Sequence, residues 1–224
     1  MNRKFSKYSL LFMLIFSTNS LFASTLLYKN SGDTTFFEVQ DTAALSKLLT
    51  DMSKTLQTIE SDFVQEKYLS VLTESITTKG HFIFKQKNQI RWEYTEPYSY
   101  IIIIKIGKMQ IKDGDKVTNF DMSGNKSLSA LNEKMSDIIQ GKIIKNKTDF
   151  NINYYENSSF YLVSLVPKTK GMKDYFNGIQ IYFDKNDLTV SKIKMIELSG
   201  DYSIINFINK KKNTIVSDEK FNIN

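Results

Sequence analysis

The chain has 224 residues, of which 41% are apolar and 24% are charged, a composition that allows a domain with its own hydrophobic core and excludes a disordered polyelectrolyte. It contains no cysteine, which excludes disulfides, thiolate metal sites and a lipid anchor on cysteine. The formal net charge of +6 includes three positive charges among the first seven residues.

The N-terminus has the pattern of a secretory signal peptide, predicted to span residues 1–23. A basic segment precedes an apolar core at residues 10–16, and cleavage is predicted after Ala23. The apolar run is far shorter than the roughly 20 residues needed to cross a bilayer, which disfavours the alternative of a membrane anchor. We therefore predict an exported protein.

The basic balance is weak once this signal is removed. Its loss takes away three positive charges and no acidic ones, which lowers the net charge from +6 to +3. Apart from the cluster at residues 210–212, the lysines are dispersed among Asp and Glu. A nucleic-acid surface needs basic residues clustered with aromatic ones, so we expect no nucleic-acid partner.

The first structured element is predicted to be a helix. Residues 24–40 show no sustained period and are predicted to form a flexible leader, ahead of a single domain at 41–224. Asp41 is a suitable N-cap, and apolar residues then recur at three- and four-residue spacing on one stripe. The stripe consists of Ala44, Leu45, Leu48, Leu49, Met52 and Leu56.

From Ser61 onward the period changes to two, which is typical of strands. Short segments rich in β-branched and aromatic residues alternate with turn signals such as Gly107. The predicted strands are 61–70, 76–86, 89–95, 100–106, 108–112 and 115–121.

A helical insert interrupts the strands between Asp121 and Gly141. Leu128, Leu131, Met135, Ile138 and Ile139 fall at helical spacing, and Gly141 is predicted to end the helix. Strands then resume at 148–155, 159–167, 178–184, 189–197, 201–208 and 215–223, with a short helix near 170–175. This order predicts an α+β fold in which antiparallel strands form a sandwich, a barrel or a strongly curved sheet.

Several predicted strands are apolar on both faces. Residues 100–104 and 160–166 contain no polar alternating set, and Ile83 is apolar although it faces away from Phe82 and Phe84. Both faces of the sheet must therefore be partly shielded, and we expect the N-terminal helix and the insert to be the shields. The space beneath them is either a plain core or a cavity for acyl chains, which would gain roughly 0.8 kcal/mol per buried CH₂.

Three segments carry a more specific signal. They are a Phe-x-Gln strand at 62–67, a glycine-initiated aromatic strand at 80–85, and an Asn-x-x-x-Trp-Glu-Tyr-x-x-Pro segment at 88–97. Together they resemble the outer-membrane lipoprotein carrier family, and the order of helix, strands, helical lid and strands fits that family across most of the mature chain.

The resemblance implies a half-open β-barrel of roughly eleven antiparallel strands with a helical lid. It also implies a function. Carriers of this family take triacylated lipoproteins from an ATP-driven releasing complex in the inner membrane and pass them to an acceptor at the outer membrane. On this basis we expect a periplasmic monomer without metal or cofactor, whose ligands are the acyl chains of lipoproteins.

The resemblance also assigns roles to individual residues. The implied cavity wall consists of Phe63, Phe82, Phe84, Ile90, Trp92, Ile102 and Ile104. The implied lid residues are Leu128, Leu131, Met135 and Ile138. Many family members have Arg-Pro where this chain has Gln86-Lys87, and that arginine holds the lid closed by hydrogen bonding. Gln86, at this latch position, donates from a neutral amide, which makes a weaker bond. Arg91 is the nearest arginine, but strand alternation places it opposite Ile90 and Trp92.

An enzyme is the first alternative to a carrier. His81 is the only histidine, and a pair of acidic residues such as Glu93 and Glu96 would suit acid–base chemistry. The sequence has no nucleophile-elbow, zinc-protease or phosphate-loop motif. We therefore expect no enzymatic activity.

Two further alternatives share the fold. Periplasmic regulators on this scaffold bind a signalling partner and usually carry an additional C-terminal domain, which we do not expect here. Related carriers serve other lipid or polyene products instead of lipoproteins, and the altered residue at position 86 leaves that alternative open.

Overall fold

The computed structural model describes residues 35–124, 126–174 and 176–223. The predicted signal peptide and residues 24–34 of the predicted leader lie outside the described residues, so both stay predictions. The leader's last residues are described, and Phe37–Glu38 pairs with Tyr155 and Glu156 as a short edge strand.

Within these residues, twelve strands form one curved antiparallel sheet that does not close. From edge to edge the order is β1, β8, β9, β10, β11, β12, β2, β3, β4, β5, β6 and β7. The strands are β1 (Phe37–Glu38), β2 (Thr58–Tyr68), β3 (Ile76–Lys85), β4 (Gln89–Glu96), β5 (Tyr100–Lys105), β6 (Lys108–Asp113), β7 (Lys116–Asp121), β8 (Phe150–Glu156), β9 (Phe160–Pro167), β10 (Phe176–Asp184), β11 (Val190–Glu197) and β12 (Tyr202–Lys212). The predicted half-open barrel is confirmed, with one strand more than the eleven that the resemblance implied.

The helices begin and end close to their predicted positions. They are α1 (Thr42–Thr55), α2 (Lys126–Gln140) and the short α3 (Lys170–Lys173), with 3₁₀ turns at Lys142–Lys145 and Asp218–Phe221. The Asp41 carboxylate caps α1 by accepting a 2.8 Å hydrogen bond from the Ala44 amide. Gly141 follows α2 with φ of 73°, the left-handed conformation that terminates a helix at low cost when glycine adopts it.

The predicted last strand at 215–223 is wrong. Strand β12 runs on to Lys212, and after a bulge it pairs with Ile59 and Glu60 at the start of β2. The strand pairing of β2 is therefore already complete, and the remaining chain has no free edge beside it. Residues 214–223, here called the C-terminal segment, instead cross the sheet and form the 3₁₀ turn at Asp218–Phe221.

The two faces of the sheet are covered by different parts of the chain. We call the face that carries Phe63 and Phe183 the inner face; α1 and Gly141 lie against it, and Met52 of α1 approaches the same glycine as the ring of Phe183. On the opposite, outer face, the C-terminal segment buries Phe221 against the sheet. The expectation that the two helices shield both faces is therefore wrong for the outer face.

Candidate functional site

The predicted cavity residues lie together on the inner face. Register pairs Phe82 with Trp92 and Trp92 with Ile102, and a parallel row joins Phe84, Ile90 and Ile104. Phe63 lies on β2, directly opposite Gly80. All of these side chains are buried except Ile102, which is half-buried. The sequence therefore identified one contiguous apolar surface, and its role as an acyl-binding wall stays a prediction.

The aromatic rings of this surface contact one another. The Trp92 ring centroid lies 5.4 Å from that of Phe63 and 5.0 Å from that of Phe82. Phe207, on the neighbouring strand β12, adds a contact of 5.3 Å to Phe82. These are edge-to-face and tilted arrangements, which are the favoured geometries for aromatic pairs. In this conformation the Trp92 ring contacts rings on three neighbouring strands, β2, β3 and β12.

Gly80 lets this cluster form. A Cβ atom at position 80 would lie 1.8 Å from the carbonyl oxygen of Glu93 and 2.9 Å from the Phe63 ring. The register between β3 and β4 also shifts between Lys79 and Gly80, which marks a bulge. The glycine that opens the aromatic strand motif is thus required by close backbone approach rather than by a turn.

Polar groups are interspersed with the rings. The Tyr94 hydroxyl donates a 3.1 Å hydrogen bond to Oε1 of Gln65 in the buried interior. Burial raises the pKa of Tyr94, and burial together with the nearby Asp113 raises the pKa of Tyr100 to about 12. Both phenols are therefore neutral hydrogen-bonding groups at any physiological pH.

Charge is confined to the end of this surface. The inner-face side chains within 59–65 of β2, 78–84 of β3 and 90–94 of β4 carry no charge. Farther along β2, Lys67 donates a 2.9 Å hydrogen bond to the Glu197 carboxylate, so this cation is already neutralised. The centre of the inner face is thus a neutral surface.

Helix α2 is joined to the sheet through Asn88. The Asn88 side-chain oxygen accepts a 2.8 Å hydrogen bond from the Ser136 hydroxyl, and Gln140 donates to the same hydroxyl at 2.7 Å. Ser136 and Gln140 are both buried. The sequence analysis missed this contact. The only local signal is the asparagine that opens the tryptophan motif, which adopts a φ of 57° that asparagine tolerates better than most residues.

The predicted lid residues belong to the same helix. Ile138 is buried and Met135 is half-buried. The side chains of Leu128 and Leu131 lie outside the described part of the structure. The assignment of these residues to a lid therefore stays a prediction. The hydrogen bonds between Asn88 and the second half of α2 support it.

Gln86, at the latch position, contacts the C-terminal end of α1, a different helix from the predicted lid. The Gln86 side-chain nitrogen donates a 2.7 Å hydrogen bond to the carbonyl of Leu56, just beyond α1. Arg91 lies on the outer face as alternation predicted, and its guanidinium binds the Glu93 carboxylate at 2.8 Å and the Lys220 carbonyl at 3.0 Å. Arg91 therefore does not reach α2, and the role of Gln86 as a latch stays a prediction.

Comparison with protein-family models now adds to this geometry. Residues 54–224 match the model of the outer membrane lipoprotein carrier protein LolA, which covers about three quarters of the chain. The chain belongs to this family. The match begins before β2 and includes the inner-face strands, α2 and the C-terminal segment, and no curated protein matches the chain.

Solved structures resemble this LolA-family chain only distantly. A putative outer membrane lipoprotein-sorting protein domain from Vibrio parahaemolyticus is 10% identical, with 80% of this chain and 95% of that chain covered and a TM-score of 0.45. For the Mycobacterium tuberculosis lipoprotein LppX the identity is 10%, the coverages are 80% and 99%, and the TM-score is 0.48. For the Pseudomonas aeruginosa MucA/MucB complex the identity is 10%, with 81% of this chain and 61% of that chain covered, and the TM-score is 0.47.

The residues considered for an enzyme site lie away from the inner face. His81 is on the outer face, where its Nδ1 lies 2.6 Å from the Asp62 carboxylate beside an open groove of about 710 Å³. Glu93 is paired with Arg91, and Glu96 with Lys79. The described residues contain no cluster of three metal-ligating side chains and no helix long and apolar enough to span a membrane.

Proposed function

We propose that this LolA-family chain is a periplasmic carrier that binds the acyl chains of lipoproteins between its inner face and helices α1 and α2. It would take them from an inner-membrane ABC-type releasing complex and deliver them to an outer-membrane acceptor, acting as a monomer and without catalysis. The observation that supports this most is the continuous, uncharged aromatic and aliphatic surface across β2 to β5. Such a surface holds hydrocarbon through burial alone.

Binding requires the inner face to open. The Trp92 ring contacts the rings of Phe63 and Phe82 in this conformation, so an acyl chain has to separate them or displace the helices above. Hydrogen bonds from Ser136 and Gln140 to the Asn88 side chain link α2 to the β3–β4 turn. We infer that opening involves loss of this connection, because neither the strands nor their register need to change.

The sole tryptophan makes the proposal testable. Trp92 lies within the proposed site, and the chain has no other tryptophan to obscure its fluorescence. The mature protein would be mixed with a lipid whose acyl chains carry bromine, which quenches indole fluorescence on contact. Saturable quenching of Trp92 is expected. Saturable lipid binding without quenching would contradict the inner face as the site.

A matched control moves the reporter to the other face. In the double variant Trp92→Phe with Phe221→Trp, the only indole lies under the C-terminal segment on the outer face. Brominated lipid should leave this fluorescence unchanged while still binding. The natural cargo, lipoprotein or another lipid such as a polyene, would be identified by mass spectrometry of molecules that co-purify with the protein from its own periplasm.

A further inference from the structure

Three buried polar atoms on the inner face have no hydrogen-bond partner among the described residues. They are the Ser61 hydroxyl, the Thr78 hydroxyl and the indole nitrogen of Trp92. Their residues are 7%, 4% and 7% exposed, so these atoms have little access to bulk solvent. Buried polar groups are normally paired, and leaving one unpaired is unfavourable.

These residues lie on the two sides of Phe63 along the sheet. Ser61 lies two residues before Phe63 on β2, and Thr78 lies two residues before Gly80, the cross-strand partner of Phe63. The Trp92 ring contacts Phe63 from β4. The three groups, together with the bonded pair of Tyr94 and Gln65, form a polar belt around Phe63 in an otherwise apolar surface.

The chemistry of the belt limits what it would bind. An indole N–H only donates, and a hydroxyl without a partner is able to donate. The ligand must therefore offer hydrogen-bond acceptors. A carboxylate or phosphate would need a cation, and the nearest inner-face cation along β2, Lys67, is already paired with Glu197. A neutral acceptor attached to hydrocarbon is what remains.

We propose that the belt of Ser61, Thr78 and Trp92 binds the carbonyl oxygens of the ligand's acyl linkages, ester or amide. This inference rests on the proposed function, since it assumes that acyl chains enter the inner face. It goes further by assigning a polar contact that distinguishes acylated lipids from plain hydrocarbon and fixes how deep the chains lie. Burial of the chains alone cannot provide that distinction, because it is non-directional.

The test compares lipids that differ only in the carbonyl. A brominated diacylglycerol, its dialkyl ether counterpart and an N-acyl amide with the same chain would be titrated against the protein, with Trp92 quenching as the signal. The ester should bind about tenfold more tightly than the ether, the range expected for one or two hydrogen bonds. Comparison of ester with amide shows which linkage the belt prefers; tighter binding of either one than of the ether supports the proposal.

Variants connect this preference to the belt. Ser61→Ala and Thr78→Val remove a hydroxyl while nearly preserving shape, so the ratio of ester to ether affinity should fall toward one. Their midpoints of urea unfolding should stay the same or rise, because the lost hydroxyls have no partner in the empty protein. The control is Thr58→Val on β2, the strand of Ser61. The Thr58 hydroxyl donates a 2.7 Å hydrogen bond to the Thr214 carbonyl. That variant should lose stability and keep the ratio.

The outcomes separate this inference from the function beneath it. Equal affinity for ester, amide and ether, or an unchanged ratio in both belt variants, would overturn the polar belt and leave the carrier proposal standing. A failure of all three lipids to quench Trp92 would overturn the inner-face carrier proposal, and the belt with it. A clear loss of stability in Thr78→Val would also count against the belt, because it would mean that the protein itself pairs the hydroxyl.

Discussion

The inner and outer faces of the sheet are both partly apolar, but they are completed in different ways. On the outer face the C-terminal segment packs Val216 and Phe221 onto Ile83 and Ile103. Polar groups at its border are paired as well; the Lys85 ammonium, for example, donates to the Val216 carbonyl at 2.8 Å. On the inner face three buried polar atoms have no partner in the described structure.

This difference separates stability from function. A surface whose apolar and polar groups are all satisfied within the chain gains nothing from a ligand, whereas one with unpaired groups does. Under our proposal the C-terminal segment on the outer face serves the fold, and the inner face serves the ligand. Four experiments test this separation, and they follow in order of expected effect.

The largest effect is expected at Gly80. Gly80→Ala places a methyl group 1.8 Å from the Glu93 carbonyl oxygen, and no side-chain rotation relieves a clash with backbone. The β3–β4 pairing must shift, so the free energy of unfolding should fall by more than about 3 kcal/mol. Urea denaturation measures this. Gly124→Ala is the control, since a Cβ atom there meets nothing within 4 Å; similar losses in both variants would contradict the close approach at Gly80.

A pair of matched substitutions compares the two faces directly. The side chains of Phe82 and Phe221 are equally buried, with 1% and 0% of their surface exposed. Replacement of either by leucine should cost about 1 to 2 kcal/mol of stability, because each leaves a similar void. Only Phe82→Leu should weaken the binding of a brominated lipid. Equal losses of affinity in the two variants would show that the outer face also takes part in binding.

The contact between α2 and the sheet is expected to have a moderate effect. Asn88→Gly removes the amide that accepts from Ser136 while allowing the positive φ, so the cost arises from the lost hydrogen bond. The loss should be about 1 to 2 kcal/mol, and hydrogen exchange of α2 amides should accelerate. Lys87→Gly, exposed in the same turn and itself at a φ of 69°, should leave the exchange of α2 unchanged and should not lower stability. Unaltered exchange in Asn88→Gly would mean that other contacts hold α2.

The smallest effect is expected in the pH dependence of the free energy of unfolding, through the bonds between Glu60 and the C-terminal segment. Hydrogen bonds from Lys220, and secondarily from the Thr214 hydroxyl, hold the pKa of Glu60 below its ordinary value. A carboxyl whose pKa is lower in the folded state stabilises the fold above its ordinary pKa, and this contribution is lost as the pH falls through the folded value. Solvent limits it to less than about 1 kcal/mol.

Glu60→Gln isolates this contribution. The difference in free energy of unfolding between wild type and Glu60→Gln should be constant at neutral pH and should shrink below about pH 4. The affinity for lipid should not show the same dependence on pH, since Glu60 lies on the outer face. A difference that grows on acidification would contradict the assigned sign.

Much of the inner face was predictable from sequence because strand alternation is local. The period of two places Phe82, Phe84, Ile90 and Trp92 on one side whatever partners the strands find, and the structure places them there. Helix α1 was likewise predictable from its stripe and its Asp41 cap. The partners of the alternate apolar residues were not predictable, since Ile83 is shielded by residues that follow it by more than 130 positions.

The sequence by itself determined the order of the helices and of strands β2 to β12, the start of α1, the end of α2, and the set of side chains that share the inner face, because each of these follows from spacing and capping within a few residues. Only the tertiary structure decided that the C-terminal segment crosses the outer face instead of adding a strand, that Asn88 meets Ser136, and that three polar atoms around Phe63 lack partners. These depend on which distant segments meet when the sheet curves, and no local pattern encodes such meetings.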